Sequence, residues 1–194
     1  INEGDVTTLK TLTGTGNAYT ITVTDTSAAA ADLVALDGKT TVAVDATTVA
    51  TLTGSAADIK TFAAETGITK ATNWAASVSG SSTVADANSI EAVNGSGVVT
   101  ATISDGSIAT LKNLTGTGNA YSLKVTDASV DLAELYALND KTTVDVDALS
   151  VGTITSASTT NINLTAAGIS WKSGINVSGS AGNDVITATG GNDT

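Results

Sequence analysis

Leu12-Thr13-Gly14-Thr15-Gly16-Asn17-Ala18-Tyr19 returns unchanged as Leu114-Thr115-Gly116-Thr117-Gly118-Asn119-Ala120-Tyr121. The shift is 102 residues (114 − 12 = 102). The same shift carries Ile1-Asn2-Glu3-Gly4 onto Ile103-Ser104-Asp105-Gly106, and Lys39-Thr40-Thr41-Val42 onto Lys141-Thr142-Thr143-Val144. Further on, Val78-Ser79-Gly80-Ser81 meets Val177-Ser178-Gly179-Ser180 at a shift of 99 (177 − 78 = 99). An identity of eight residues marks an internal duplication. It divides the chain into a first copy over 1–102, a second over 103–178, and a remainder over 179–194.

A shorter rhythm runs inside each copy. Alternating small polar and aliphatic residues predict strands over 19–24, 41–45, 98–103, 121–126 and 143–147, with weaker ones starting at Trp74 and Trp171. Most starts lie 22 to 24 residues apart. An Asp or Ser turn follows each strand. Then comes an apolar segment, Ala31-Asp32-Leu33-Val34-Ala35-Leu36 or Leu132-Ala133-Glu134-Leu135-Tyr136-Ala137-Leu138. Leu132, Leu135 and Leu138 recur every third residue, which predicts a short helix that Asp127 or Ser129 would cap. Asp37-Gly38-Lys39 and Asn139-Asp140-Lys141 close the unit.

Strand, turn, short helix or second strand, and turn, repeated every twenty-odd residues, describe a mainly β repeat protein, a parallel β-solenoid with short helical segments. One such coil cannot bury its own apolar side, so neighbours must stack. The alternative is two tandem β-sandwich domains of about 100 residues each. The longer interval from Thr41 to Trp74 counts for the sandwiches. It contains Ala56-Ala57-Asp58-Ile59-Lys60-Thr61-Phe62-Ala63-Ala64-Glu65, a helix or an inserted loop.

Composition narrows the chemistry. The 194 residues hold 41% hydrophobic but only 3% aromatic side chains, so any core is aliphatic and thin. There is no His and no Cys, which excludes Ser-His-Asp and Cys-His nucleophiles and the usual zinc sites. Oxygen donors are plentiful and suit calcium. Eight Lys plus Arg against 19 Asp plus Glu give a net charge of −11, which repels a phosphate backbone and speaks against nucleic acid. No apolar run reaches the roughly 18 residues of a membrane span, so no membrane insertion is expected. No pair of carboxylates stands out from the repeats, and we expect no enzyme.

Three smaller groups carry a functional reading. Asp25, Asp45, Asp127 and Asp147 recur after strands and would form either a calcium column or Asx turns and caps; turn chemistry is the simpler account. Thr20, Thr22 and Thr24 align three hydroxyls on one strand face, as an ice-binding ladder would, but Ser122, Lys124 and Thr126 break that array in the second copy. Trp74 and Trp171 would stack on a sugar ring or pack the coils.

The remainder ends the chain differently. Gly182-Asn183-Asp184 returns as Gly191-Asn192-Asp193 after nine residues (191 − 182 = 9). With Val185-Ile186-Thr187 between them, this resembles the G-G-x-G-x-D-x-U-x nonapeptide of RTX (hemolysin-type) calcium-binding proteins. The resemblance implies that Gly179, Ala181, Gly182 and Asp184 supply a first Ca2+-binding turn, and Gly191, Asn192 and Asp193 a second. Ser180 and Ala188-Thr189 depart from the pattern, and a complete site in that family draws on successive coils, so half-sites are expected here. The pattern VTDxS…ADLxALxxKTTV over 23–42 and 125–144 also resembles repeats of very large bacterial surface proteins.

Together these imply an extracellular structural protein of the surface-layer or filament kind, exported by a type I system. Its solenoid leads into an RTX β-roll, its ordering or assembly depends on calcium, and its partners are other copies of itself. The alternative is an adhesin segment that holds a cell-surface glycan.

Overall fold

Leucine, isoleucine and alanine at every third position decide the helical parts of this chain. In the computed structural model, which describes residues 1, 4–156, 162–165, 167–179 and 186–187, each such run is a short helix with one buried face. Two compact units divide the chain, Ile1–Ala101 and Thr102–Thr194. The first contains α1 (Val6–Leu9), β1 (Ser27–Ala29), α2 (Ala30–Asp37), β2 (Val44–Ala46), β3 (Thr51–Gly54), α3 (Ala56–Ala64), β4 (Ile68–Lys70), β5 (Ala75–Ser82) and α4 (Val84–Glu91). Strand β6 (Val99–Ile103) then carries the chain over the boundary. The second unit contains α5 (Ile108–Leu111), β7 (Ala120–Ser122), β8 (Ser129–Asp131), α6 (Leu132–Asn139), β9 (Val146–Ala148), β10 (Thr153–Thr155), β11 (Ile162–Asn163), β12 (Ile169–Trp171), β13 (Asn176–Ser178) and β14 (Ile186–Thr187).

The protein is mixed α/β, with six helices among the described residues where a mainly β chain was expected. The reason is local. Ser55 and Asp58 form a capping box on α3, the Ser55 hydroxyl accepting from the Asp58 amide at 3.2 Å. Thr83 and Asp86 do the same for α4 at 3.1 Å. Each four-to-nine-residue helix then buries a stripe: Ala30, Leu33 and Leu36 in α2, Ala56, Ile59 and Phe62 in α3, Leu132, Leu135 and Leu138 in α6. Asp131, not Asp127 or Ser129, caps α6, its Oδ1 accepting from the Ala133 amide at 2.9 Å.

Strand pairing follows one step length. In the first unit Ser27 pairs with Thr51, and Thr51 with Ala75, both parallel and 24 residues apart (51 − 27 = 24; 75 − 51 = 24). Val44 pairs with Ile68 at the same step (68 − 44 = 24). In the second unit Ser129, Thr153 and Asn176 align in parallel, as do Val146 with Ile169 and Ile162 with Ile186. Tandem β-sandwiches would need antiparallel neighbours; every pairing registered among the described residues is parallel.

The interval from Thr41 to Trp74 is no insertion. It holds β3, α3 and β4, one full step, with β3 paired on both sides. The core is a column of aliphatic side chains on the inner face of these short strands. Ala28, Leu52 and Ala76 stack in register and are all buried, and Val130, Ile154 and Val177 hold the same column in the second unit. Alternating small and large residues fill a narrow interior, which accounts for the scarcity of aromatics.

The register also corrects the late alignment of the two copies. Leu52 pairs with Ala76, and Ile154, its counterpart at 102, pairs with Val177. Val177 therefore stands where Ala76 does, a shift of 101 (177 − 76 = 101), and the match at 99 is a coincidence of composition. Likewise Trp171 ends β12 opposite Ala148, as Lys70 ends β4 opposite Ala46, so the two tryptophans are not equivalent. Neither tryptophan starts a strand: β5 begins one residue after Trp74.

Candidate functional site

The recurring aspartates are held by backbone amides. Asp25 Oδ2 accepts from the Val6 N–H at 2.7 Å, and Asp127 Oδ2 accepts from the Ile108 N–H at 2.7 Å. Each carboxylate reaches 19 residues back in sequence (25 − 6 = 19; 127 − 108 = 19) to the first amide of a four-residue helix, α1 or α5. Asp45 and Asp147 instead turn on themselves. Asp45 Oδ1 accepts from the Thr47 amide at 3.1 Å and its hydroxyl at 2.7 Å, and Asp147 Oδ1 from the Leu149 amide at 3.0 Å. These are Asx turns and helix caps, as turn chemistry predicts. Among the described residues no three acidic side chains gather as a metal group would require.

The cross-step cap has a measurable consequence. Asp127→Ala removes the acceptor for the Ile108 amide and should lower stability by about 1–2 kcal/mol in urea unfolding. Asp127→Asn, which keeps an oxygen there, should lose much less. Equal stability of the alanine variant and the parent would refute the capping role.

Of the residues expected to hold calcium, Gly179 follows β13 in an exposed position. Ala181, Gly182, Asp184, Gly191, Asn192 and Asp193 lie outside the described residues. Within that tail, Ile186 and Thr187 form β14, which pairs in parallel with Ile162 and Asn163 at the 24-residue step (186 − 162 = 24). The Leu164 N–H donates to the Thr187 carbonyl at 2.8 Å.

Side chains that link neighbouring steps were not all anticipated. The Thr40 hydroxyl accepts from the Tyr19 N–H at 3.0 Å, donates to the Tyr19 carbonyl at 2.8 Å and accepts from the Val42 N–H at 3.1 Å. One hydroxyl thereby occupies the place of a peptide group in the ladder. Thr142 repeats this on Tyr121 and Val144. Its trace in sequence is the recurring Lys-Thr-Thr-Val, where the first threonine is the one used. This substitution is also why 19–24 is not a continuous strand: only Thr22, opposite Asp45, makes a bridge.

Lysines tie successive helices together. Lys10 Nζ lies 2.7 Å from Asp32, Lys112 Nζ 2.9 Å from Glu134, and Lys60 pairs with Asp86. Lys60 and the Thr83 hydroxyl hold the Asp86 carboxyl below its ordinary value. Asp45 is lowered by the Thr47 hydroxyl and amide, and Asp5 by the Thr8 amide. A carboxylate with a depressed folded value contributes stability that is present above about pH 4 and is lost as pH falls through the depressed value. Burial pushes the Tyr136 hydroxyl up.

Trp74 is buried and meets Phe62 edge-on, ring centroids 6.0 Å apart and planes at 88°. Its faces are spent on packing, which leaves only the half-buried Trp171 to present indole surface. Thr20, Thr22 and Thr24 are exposed, with Ile21 and Val23 buried between them. No helix among the described residues is long and apolar enough to cross a membrane. No family model, no curated protein and no solved structure matches the chain.

Proposed function

We propose that each unit is a parallel β-solenoid and that the chain is a rigid repeat scaffold of a bacterial surface layer or filament, ordered outside the cell by calcium. The observation that carries this reading is the constant parallel step of 23 or 24 residues, repeated on several strand rows and cross-linked by helix caps, lysine pairs and Thr40 or Thr142. Such an object gives stiffness and reach, and turns nothing over. Strand β14 supports the calcium part, because it lies inside the nonapeptide-like tail and keeps the same step. The tail would then be the first winding of an RTX β-roll, its glycine turns supplying carbonyl oxygens and its Asp residues carboxylates. Calcium there offsets the repulsion of an acidic chain and is taken up at the roughly 10⁻⁴–10⁻³ M affinity of extracellular modules. Secretion through a type I channel in the unfolded, calcium-free state fits that affinity.

Amide hydrogen exchange tests the proposal. With millimolar calcium, Ile186 and Thr187 should gain protection over the same chain in chelator, while the core amides of Leu52 and Ile154 stay unchanged. Identical exchange at β14 in both conditions would end the calcium reading. The alternative, a glycan-holding adhesin segment, rests on Trp171 alone.

A further inference from the structure

The two copies of Leu-Thr-Gly-Thr-Gly-Asn-Ala-Tyr have one sequence and two environments. In the second copy Leu114 is 1% exposed, Asn119 3% and Tyr121 0%. In the first copy Leu12, Asn17 and Tyr19 are all partly exposed. Ala120, Tyr121 and Ser122 form strand β7, whereas Ala18, Tyr19 and Thr20 form none.

The downstream edge does not explain this, because it is the same in both. Asn17 bridges Thr40 and Thr22 bridges Asp45; Asn119 bridges Thr142 and Lys124 bridges Asp147. The threonine hydroxyls bond Tyr19 and Tyr121 alike. The difference lies on the upstream edge. There, among the described residues, no group accepts the Thr20 N–H. The chain at this edge lacks the features of a terminal cap, which replaces apolar by polar residues; it keeps the residues of an internal repeat unchanged.

We infer that this edge, over Ala18, Tyr19 and Thr20 with Leu12 beneath, is a docking site for one parallel strand, and that its occupant is a further copy of the 102-residue repeat placed head to tail ahead of the first. Sequence register names the strand. Ile1 stands where Ile103, the last residue of β6, stands one repeat later, so the residues continuing upstream correspond to Val99-Thr100-Ala101-Thr102. That segment alternates buried and exposed side chains, Val99 and Ala101 inward and Thr100 and Thr102 outward, which suits addition to a sheet edge. The repeat is thus built to concatenate, and the surface is specific for its own kind. The inference rests on the stacked-coil reading but on neither calcium nor location.

Two extended chains test it. One carries residues 1–102 a second time ahead of Ile1; the other carries only Gly-Val-Val-Thr-Ala-Thr, the sequence of residues 97–102. In either, exchange of the Thr20 amide should slow about tenfold or more, the effect of one added ladder hydrogen bond, and nitration of Tyr19 should fall to the level of Tyr121. Unchanged Thr20 exchange and Tyr19 nitration in both, with the Leu52 and Ile154 amides still protected, would overturn the docking edge while leaving the coils standing. Loss of protection at Leu52 and Ile154 in the unextended chain would instead overturn the coil reading. Protection of Tyr19 that rises with concentration in the unextended chain, together with sedimentation as a dimer or larger, would overturn the tandem occupant in favour of a second molecule.

Discussion

Gly97→Ala should disrupt the junction between α4 and β6 more than any other single methyl group added at a described glycine. A Cβ at residue 97 would sit 2.0 Å from the Trp74 carbonyl oxygen, 2.3 Å from its carbon and 2.8 Å from the Ala75 nitrogen. These are backbone atoms, and no rotamer can move them away. The two chains are also pinned on either side of the contact. The Trp74 N–H donates to the Asn94 carbonyl at 3.1 Å, and the Ala76 N–H to the Val98 carbonyl at 2.9 Å. Buried Asn94 locks the same loop by donating from Nδ2 to the Gly97 carbonyl at 2.6 Å. Relief therefore requires breaking ladder bonds, and the loss should reach about 3 kcal/mol or more. Gly80→Ala is the control. Its φ of +72° strains an alanine, but nothing lies within 4 Å of the added carbon. That strain costs about 1 kcal/mol. Urea unfolding followed by tryptophan fluorescence separates the two. If Gly97→Ala unfolds no earlier than Gly80→Ala, the close approach of these two backbones is wrong.

The same close approach explains what could and could not be read from sequence. The duplication was legible because glycine and threonine turns repeat as whole words, and the every-third leucines of α2 and α6 are a periodic signal. Strands β1, β3 and β10 were not legible. Ser27-Ala28-Ala29 and Thr153-Ile154-Thr155 are three residues long, too short to show alternation, and they become strands only because a neighbour one step away supplies the ladder. Their stability is a property of the stack, not of the segment.

Side-chain links between steps were hidden for a related reason. The reach of Asp25 to Val6 or of Thr40 to Tyr19 spans about twenty residues, and nothing local announces it. The duplication still held a clue, since Asp25 with Asp127 and Thr40 with Thr142 are pairs at 102 residues (127 − 25 = 102; 142 − 40 = 102). The long interval from Thr41 misled because α3 replaces an expected strand signal within an ordinary step. The expected calcium residues beyond Gly179 fall outside the described residues, so the tail is known through β14 alone.

A core of small aliphatic side chains leaves its few large ones with a disproportionate share of the packing. Phe62 is the clearest case. It is 2% exposed, it lies on the buried stripe of α3, and its ring takes the edge of Trp74. The Lys70 ammonium sits 5.4 Å from the ring centre. That lysine is also held by the carbonyls of Ala63 and Glu65 at the end of α3, so it stays in place without the ring. Phe62→Ala should therefore lower the stability of the first unit by about 3–5 kcal/mol, the cost of a large cavity that its neighbours cannot fill. Phe62→Leu keeps most of the volume and should cost less than about 1.5 kcal/mol. Trp74 reports the change directly, because losing the ring opens its edge to water and should shift its emission to longer wavelength. The second unit, which contains neither residue, should unfold as before. A Phe62→Ala chain that melts with the parent, or whose tryptophan emission is unmoved, would mean that the inner column of the first unit does not depend on this pair.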